Sequence, residues 1–478
     1  MTDSRFSKPT RRGVLKAGLA AGAIIGTGAW ARDLGDSRNP GPLRQPGSLP
    51  FPRLAPGTDT IPQIEHIVVL MMENHSFDNR VGLLDRPDVD GFRLGRDGLP
   101  TATNPYPDGS IQHAFRMPTT CQLNSQPSQE WTASHNAYNN GKNDGFVRTP
   151  ISPLTTEIVG GVAMGYWQAE DQPFYDSLYK NFPIADRYFC SVLGQTFPNR
   201  RYVIGATSLG QIDDIGVNLT DYPANGTIFD SLDAYGISWK DYFTTSSSLE
   251  LFPQLFFRNQ GTRCINISNF FTDAAAGTLP AYSFVEPEFG NQSEENPQNI
   301  AVGEEFAAKV INAVISGPRW DRTLLILTYD EHGGYYDHVP PPAAIAPDNI
   351  GPSLHPGENG FDGFNRYGFR VPFAIVSPWA RRHYVSHEVF DHTSILKLVQ
   401  TKWNLPALTF RDANATPMLD MLDLRHPQFA EPPQLAQPLA VTDPTALACS
   451  VNGPGTIPPV GSITPAGSVT PVRSDTHD

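Results

Sequence analysis

Two strand-length apolar runs, far apart in the chain, each stop abruptly at acidic residues. The first, His66-Ile67-Val68-Val69-Leu70-Met71-Met72, runs into Glu73-Asn74-His75-Ser76-Phe77-Asp78. The second, Thr323-Leu324-Leu325-Ile326-Leu327-Thr328-Tyr329, runs into Asp330-Glu331-His332-Gly333-Gly334. Continuous apolar runs of this length suit strands buried on both faces, as in a parallel sheet. A helix is expected over residues 301–315, with Val302, Phe306 and Val310 on one face and Gly317-Pro318 as its stop. A third apolar run covers residues 371–376, after a Pro/Gly/Asn stretch at 340–368 that looks disordered, and residues 391–402 read as another helix. This order predicts an α/β fold: a largely parallel central sheet between helical layers, with long loop insertions. Ligand sites in such sheets lie beyond the carboxyl ends of the strands. Both acidic clusters fall there.

The ends of the chain need a separate reading. Thr10-Arg11-Arg12-Gly13-Val14-Leu15-Lys16, a mild apolar run over 17–29 and the small-residue pattern Ala29-Trp30-Ala31 read as a twin-arginine signal peptide over residues 1–31. The run is too short and weakly apolar to span a bilayer. The protein is therefore expected to leave the cytoplasm through the twin-arginine translocation machinery, into the periplasm or the medium, with no transmembrane anchor once mature. Residues 32–60 read as an N-terminal leader, 61–431 as the catalytic domain, and 432–478 as a Pro/Thr/Ser-rich tail, mostly disordered or extended. Removing residues 1–31 takes away five Lys/Arg and one Asp, so the formal charge moves from −14 to −18. A body this acidic is not expected to bind nucleic acid, nor to dock on anionic lipid by charge. None of Cys121, Cys190, Cys264 and Cys449 forms a CxxC pair, which argues against a zinc-thiolate site. Export permits disulfides, and three pairings are open.

Glu73 and Asn74 follow one expected strand; Asp330 and Glu331 follow another. Three carboxylates converging at one sheet edge repel unless a cation lies between them. Oxygen-only ligands favour a hard divalent ion such as Ca²⁺, Mg²⁺ or Mn²⁺, with Zn²⁺ a further option. The other reading of Asp330-Glu331 is a polar strand end. A third piece is Gln195-Thr196-Phe197-Pro198-Asn199-Arg200-Arg201. Pro198 is expected to open a helix, which sets Thr196 just ahead of a helix N-terminus. Such a place favours an alkoxide or a phosphate. A cap residue is the alternative.

These stretches together resemble the bacterial and plant phosphoesterase family of non-specific phospholipase C and a respiratory-burst-inhibiting acid phosphatase, within the alkaline phosphatase superfamily. The resemblance rests on E-N-H-S-F-D at 73–78, T-x-P-N-R at 196–200 and T-Y-D-E-H-G-G-Y-Y-D-H-V at 328–339, with weaker likeness at 140–146 and 390–395. It implies an alkaline-phosphatase-like α/β/α sandwich and one divalent metal held by Glu73, Asn74, Asp330, Glu331 and Thr196. It also implies that Thr196 attacks phosphorus and passes through a phosphothreonine intermediate. His332, His135 and His392 are the candidates for proton transfer or phosphate contact, with supporting roles beside the metal loop favoured for His332 and His338. A local hydrogen bond is expected of His75. Arg200 is a candidate phosphate ligand, with pairing to a buried carboxylate its alternative.

The chain departs from the family at Gln129 and Asn296, where relatives often carry histidine. Both are candidate substrate contacts, but an amide cannot donate a proton as imidazolium does. The expected reaction is phospholipase C hydrolysis of a phospholipid phosphodiester, giving diacylglycerol and a phosphorylated headgroup. Two alternatives are an acid phosphatase acting on phosphomonoesters and a metal-binding homologue with little catalysis.

Overall fold

The protein's structure, a computed structural model, describes residues 42–121, 127–148, 160–441, 458–459 and 461–468. The expected signal peptide and the first part of the leader lie outside these residues. So does Cys449.

Eight strands form the main sheet. In chain order they are β1 (His66–Met72), β2 (Ile184–Ala185), β3 (Trp239–Phe243), β4 (Cys264–Asn266), β5 (Tyr282–Val285), β6 (Thr323–Tyr329), β7 (Phe373–Val376) and β8 (Val385–Ser386). Their spatial order is β8-β2-β7-β6-β1-β5-β3-β4. All neighbours pair in parallel except at β7, which runs antiparallel to both β6 and β2. The third apolar run is thus a strand, but reversed. Every residue of β6 is buried. Side chains alternate between faces along a strand, so both faces of the sheet are covered. Four helices bear on the site: α1 (Trp131–Tyr138), α2 (Thr196–Gly205), α3 (Ile300–Ile315) and α4 (His392–Trp403). Of these, α3 packs on β1 and β6, while α2 packs against α4. The predicted α/β class with helical layers is what the chain adopts.

One region differs from the sequence reading, and two others gain detail. The 340–368 stretch is ordered: Tyr367 N donates to Pro342 O at 3.2 Å and Ser353 N to Gly210 O at 2.8 Å. Its polar composition hid partners that are remote in sequence. The described part of the leader is packed on the domain, with Phe51 N donating to Asn404 Oδ1 at 2.9 Å and Thr60 N to Lys402 O at 2.7 Å. Where the tail is described it is extended, and Ile463–Thr464 pairs with Ile111–His113. Cys121 is disulfide-bonded, whereas Cys190 and Cys264 are buried free thiols. No helix among the described residues is long and apolar enough to cross a membrane.

Candidate active site

The register of the two central strands builds the site. β1 and β6 are adjacent and parallel, with Met72 opposite Tyr329. The next residue on each strand is therefore Glu73 and Asp330, side by side, and Asp330 N donates to Met72 O at 3.2 Å. Asn74 turns the chain with φ 64°, a left-handed conformation that Asn tolerates better than most residues. Its N–H donates to Asp330 Oδ1 at 3.1 Å, and Glu331 N donates to the same oxygen at 2.7 Å. Gly333 is required here: at φ +63° a Cβ would come within 1.9 Å of Asn74 O.

Thr196 reaches this corner from α2. Its hydroxyl donates to Asn74 Oδ1 at 3.3 Å. The helix begins at Thr196 itself, two residues before the expected start at Pro198. The cause is distant in sequence: Asp214 Oδ1 accepts from Phe197 N at 2.7 Å and caps the first turn. Asn199 shapes the approach. Its Oδ1 accepts from Ser191 N and Val192 N at 2.9 and 3.0 Å, and its Nδ2 donates to Gly194 O and Gln195 O at 3.1 and 2.9 Å. Asn199 thereby clamps the loop that presents Thr196.

Arg200 is buried under the corner. Its Nε donates to Asp330 Oδ2 and its Nη1 to Glu286 Oε1, both at 2.9 Å, and Nη2 lies 3.5 Å from Glu73 Oε1. The guanidinium is engaged by carboxylates at the ends of three neighbouring strands, the alternative weighed for it against a phosphate contact. Ser248 also bonds Glu286 and Arg200. Burial, above all, pushes Glu73 and Glu331 well above the usual carboxylate range; Arg200 pulls Glu73 back, while Asp330 pushes both further up.

The donor set suits a hard cation. Glu73 Oε2 and Glu331 Oε1 are buried without a hydrogen-bond partner, and polar atoms are rarely left so. One guanidinium faces Glu73, Asp330 and Glu286, with Glu331 beyond them, so negative charge is in excess. The three expected carboxylate ligands do not, however, form the tightest acidic group. Among the described residues, the set of three whose ligand atoms all lie within 4.8 Å of one another is Asp78, Asp337 and His338. That group already has its cation. Arg370 donates to Asp78 Oδ1 at 3.0 Å and to Asp337 Oδ1 at 2.9 Å, and all three side chains are fully buried.

The remaining expected residues fall in three places. Asn296 is tied to the acidic loop, its Oδ1 accepting from Tyr335 Oη at 2.9 Å. Gln129 is half-buried near the same loop, since Pro127 packs against Gly334. His332 is buried between Phe369 and Phe146, ring centroids 4.7 and 6.4 Å away. Its Nδ1 lies 3.1 Å from Glu331 Oε2 but out of hydrogen-bonding alignment. Burial pushes its pKa down to about 3. His392 is buried behind the corner, with Nε2 bonded to Tyr329 O at 3.0 Å. His135 stands apart on α1, stacked on Phe361 at 4.2 Å with Nδ1 bonded to Trp131 O at 2.7 Å. Burial pushes His392 and His135 down to about 4. A local hydrogen bond is expected of His75; its Nε2 instead bonds Glu294 O, remote in sequence, at 3.0 Å.

Sequence reasoning missed Glu286, Asp214 and Glu295. Glu286 had the same signal as the others, because Tyr282-Ser283-Phe284-Val285 is a short apolar run that stops at an acid. Burial, with Asp330 adding to it, pushes Asp214 and Glu295 up to about 7. The groups around the corner that titrate near neutrality are thus carboxyls, while the buried histidines are held neutral.

A sequence model of the Phosphoesterase family matches residues 64–406 of this chain. The chain belongs to that family. All three motifs that meet at the corner lie inside the matched range, and membership makes this phosphoesterase a phosphoric ester hydrolase. It is 32 % identical over 385 residues to non-specific phospholipase C1 of Arabidopsis thaliana, covering 73 % of this chain and 69 % of that one. It is 30 % identical over 413 residues to phospholipase C B of Mycobacterium tuberculosis, covering 76 % and 78 %. A solved structure of a protein in the alkaline phosphatase superfamily from Vibrio parahaemolyticus aligns with a TM-score of 0.37 at 12 % identity, over 85 % of this chain and 78 % of that one.

Proposed function

We propose that this phosphoesterase is a phospholipase C. It cleaves a phospholipid phosphodiester on the glycerol side and releases diacylglycerol and a phosphorylated headgroup. One observation carries the reading: Thr196, Asn74 and Asp330, from three separate motifs, are linked by consecutive hydrogen bonds of 3.3 and 3.1 Å. The relatives named above as phospholipases C support the substrate class.

Thr196 is the nucleophile. Its oxygen gives up its proton and forms a bond to phosphorus as the bond from phosphorus to the glycerol oxygen breaks. The glycerol oxygen takes up a proton and leaves as diacylglycerol, and water then cleaves the phosphothreonine to release the phosphorylated headgroup and restore the hydroxyl. Asn199 fixes the loop so that the hydroxyl points at the corner, which removes orientational freedom before the reaction. Glu73, Asn74, Asp330 and Glu331, with the Thr196 hydroxyl, are the residues that would hold a hard divalent cation, whose chemistry is to ease loss of the hydroxyl proton and to offset phosphoryl charge. Arg200 holds Glu73 and Asp330 in place and offsets part of their charge. Residues 1–31 direct the chain through the twin-arginine machinery, and the Cys121 disulfide fits an oxidising compartment outside the cytoplasm.

The test is a comparison of p-nitrophenylphosphorylcholine with p-nitrophenyl phosphate, with Ca²⁺, Mg²⁺, Mn²⁺ and Zn²⁺ supplied singly. Faster release from the diester is expected. Faster release from the monoester makes the protein an acid phosphatase, and silence on both with metal bound leaves a binding homologue.

A further inference from the structure

Two loops beside the active site carry large apolar side chains in solvent. Ile215 and Leu219 lie on the loop at 208–221; Ile350, Leu354 and Phe361 lie on the loop at 350–363. All five are between 41 % and 76 % exposed. The loops are joined: Ser353 N donates to Gly210 O at 2.8 Å, and His355 bonds Asp213. They rest on a small core of Trp131, Val192, Tyr202, Ile212 and Phe364, and Trp131 Nε1 donates to Asn359 O at 2.9 Å. Asp214, next to Ile215, is the residue that caps Phe197 at 2.7 Å. The apolar rim is therefore fastened one residue away from Thr196. Exposed apolar side chains gathered on firmly held loops mark an interaction surface.

The charges on the same loops select its partner. Neither loop contains a Lys or an Arg. Of their acids, Asp213 bonds His355, Asp221 and Asp362 are ion-paired with Arg201 and Arg366 from outside the loops, and Asp214 is turned inward onto Phe197 N, so the rim presents little net charge of its own. A rim without Lys or Arg gains nothing from an anionic surface, and the net negative charge of the whole protein is repelled by one. A zwitterionic surface is not, since its outermost charge is cationic and its interior takes apolar side chains.

We infer that the apolar rim formed by these two loops docks the enzyme on electrically neutral, zwitterionic lipid surfaces, so that substrate passes from the bilayer to Thr196 without crossing water. This rests on the phospholipase reading above, but the surface can be tested apart from it.

The experiment uses the mature protein, the double variants Ile215→Ser/Leu219→Ser and Ile350→Ser/Leu354→Ser, and vesicles of pure phosphatidylcholine or pure phosphatidylglycerol. Co-sedimentation and turnover are both read. Wild type is expected to co-sediment with phosphatidylcholine and less with phosphatidylglycerol. Each variant is expected to lose at least about tenfold in phosphatidylcholine binding and turnover, as follows from withdrawing two apolar side chains from lipid, while keeping wild-type turnover of soluble p-nitrophenylphosphorylcholine. Absence of wild-type co-sedimentation overturns the inference, as does unchanged vesicle binding in both folded variants. Wild-type dimers that the variants dissociate, with vesicle binding intact, would assign the rim to a second copy of the chain and also overturn it. If neither substrate turns over while binding follows the rim, the phospholipase reading fails and the docking surface stands.

Discussion

Thr196 and Arg200 lie one helical turn apart on α2 and share a face, yet their surroundings give them different work. Thr196 has a single long hydrogen bond to Asn74. Thr196→Ala is expected to lower turnover by about three orders of magnitude or more while the denaturation midpoint stays near wild type; substantial residual turnover would reject Thr196 as nucleophile. Arg200 instead neutralises Asp330, Glu286 and Glu73 in a place closed to water. Removing one partner of a buried ion network leaves charges uncompensated. Arg200→Met is therefore expected to cost roughly 3–5 kcal/mol of stability by urea titration. A variant of normal stability whose KM alone rises would show that Arg200 holds phosphate after all.

The segments after β1 and β6 are locked together by a second network. His338 Nδ1 bonds Asp78 Oδ2 at 2.7 Å and its Nε2 bonds Asp90 Oδ1 at 3.2 Å, while Arg370 Nη2 donates to Asp78 Oδ1 at 3.0 Å and lies 3.2 Å from His338 Nδ1. Burial opposes the imidazolium, but Asp78 and Asp90 outweigh it and raise His338 from 6.5 to about 10. A raised histidine pKa means that the folded state holds the proton more tightly than the unfolded chain. The stabilisation is complete below about pH 6.5 and is lost as the pH climbs towards 10. His338→Gln should flatten that alkaline decline in urea-denaturation curves, and an unchanged slope would place its cause elsewhere. The same elements show where local reading falls short. The start of α2 follows from Asp214, eighteen residues downstream of Thr196, and no propensity rule near Pro198 contains it.

At the scale of the whole molecule, the acidic body and the proposed export signal belong together. The signal is read from Arg11 and Arg12, and twin-arginine sorting depends on the pair. Replacing both with Lys is expected to hold the protein in the cytoplasm, as fractionation with an antibody against the mature chain would reveal; normal export would refute the signal. The described leader residues pack onto the domain, so a deletion that runs past residue 42 removes contacts to Lys402, Asn404 and Asn414.

Several features are legible in the amino-acid order alone. Two apolar runs of seven residues ending in acids favour a pair of strands buried on both faces, because they are of strand length, too short for a typical buried helix, and partly β-branched. The acids then have to stand at the carboxyl edge, and Glu73, Asp330 and Glu331 do, with the amide of Asn74 beside them. Their joining to Thr196, Arg200 and Glu286 is decided by tertiary structure alone. It depends on β5 and β6 flanking β1, on β7 running backwards, and on a loop folding back to cap α2. Strand order and long-range caps are set by packing of the whole core, and a one-dimensional pattern holds no record of which neighbours that packing will choose.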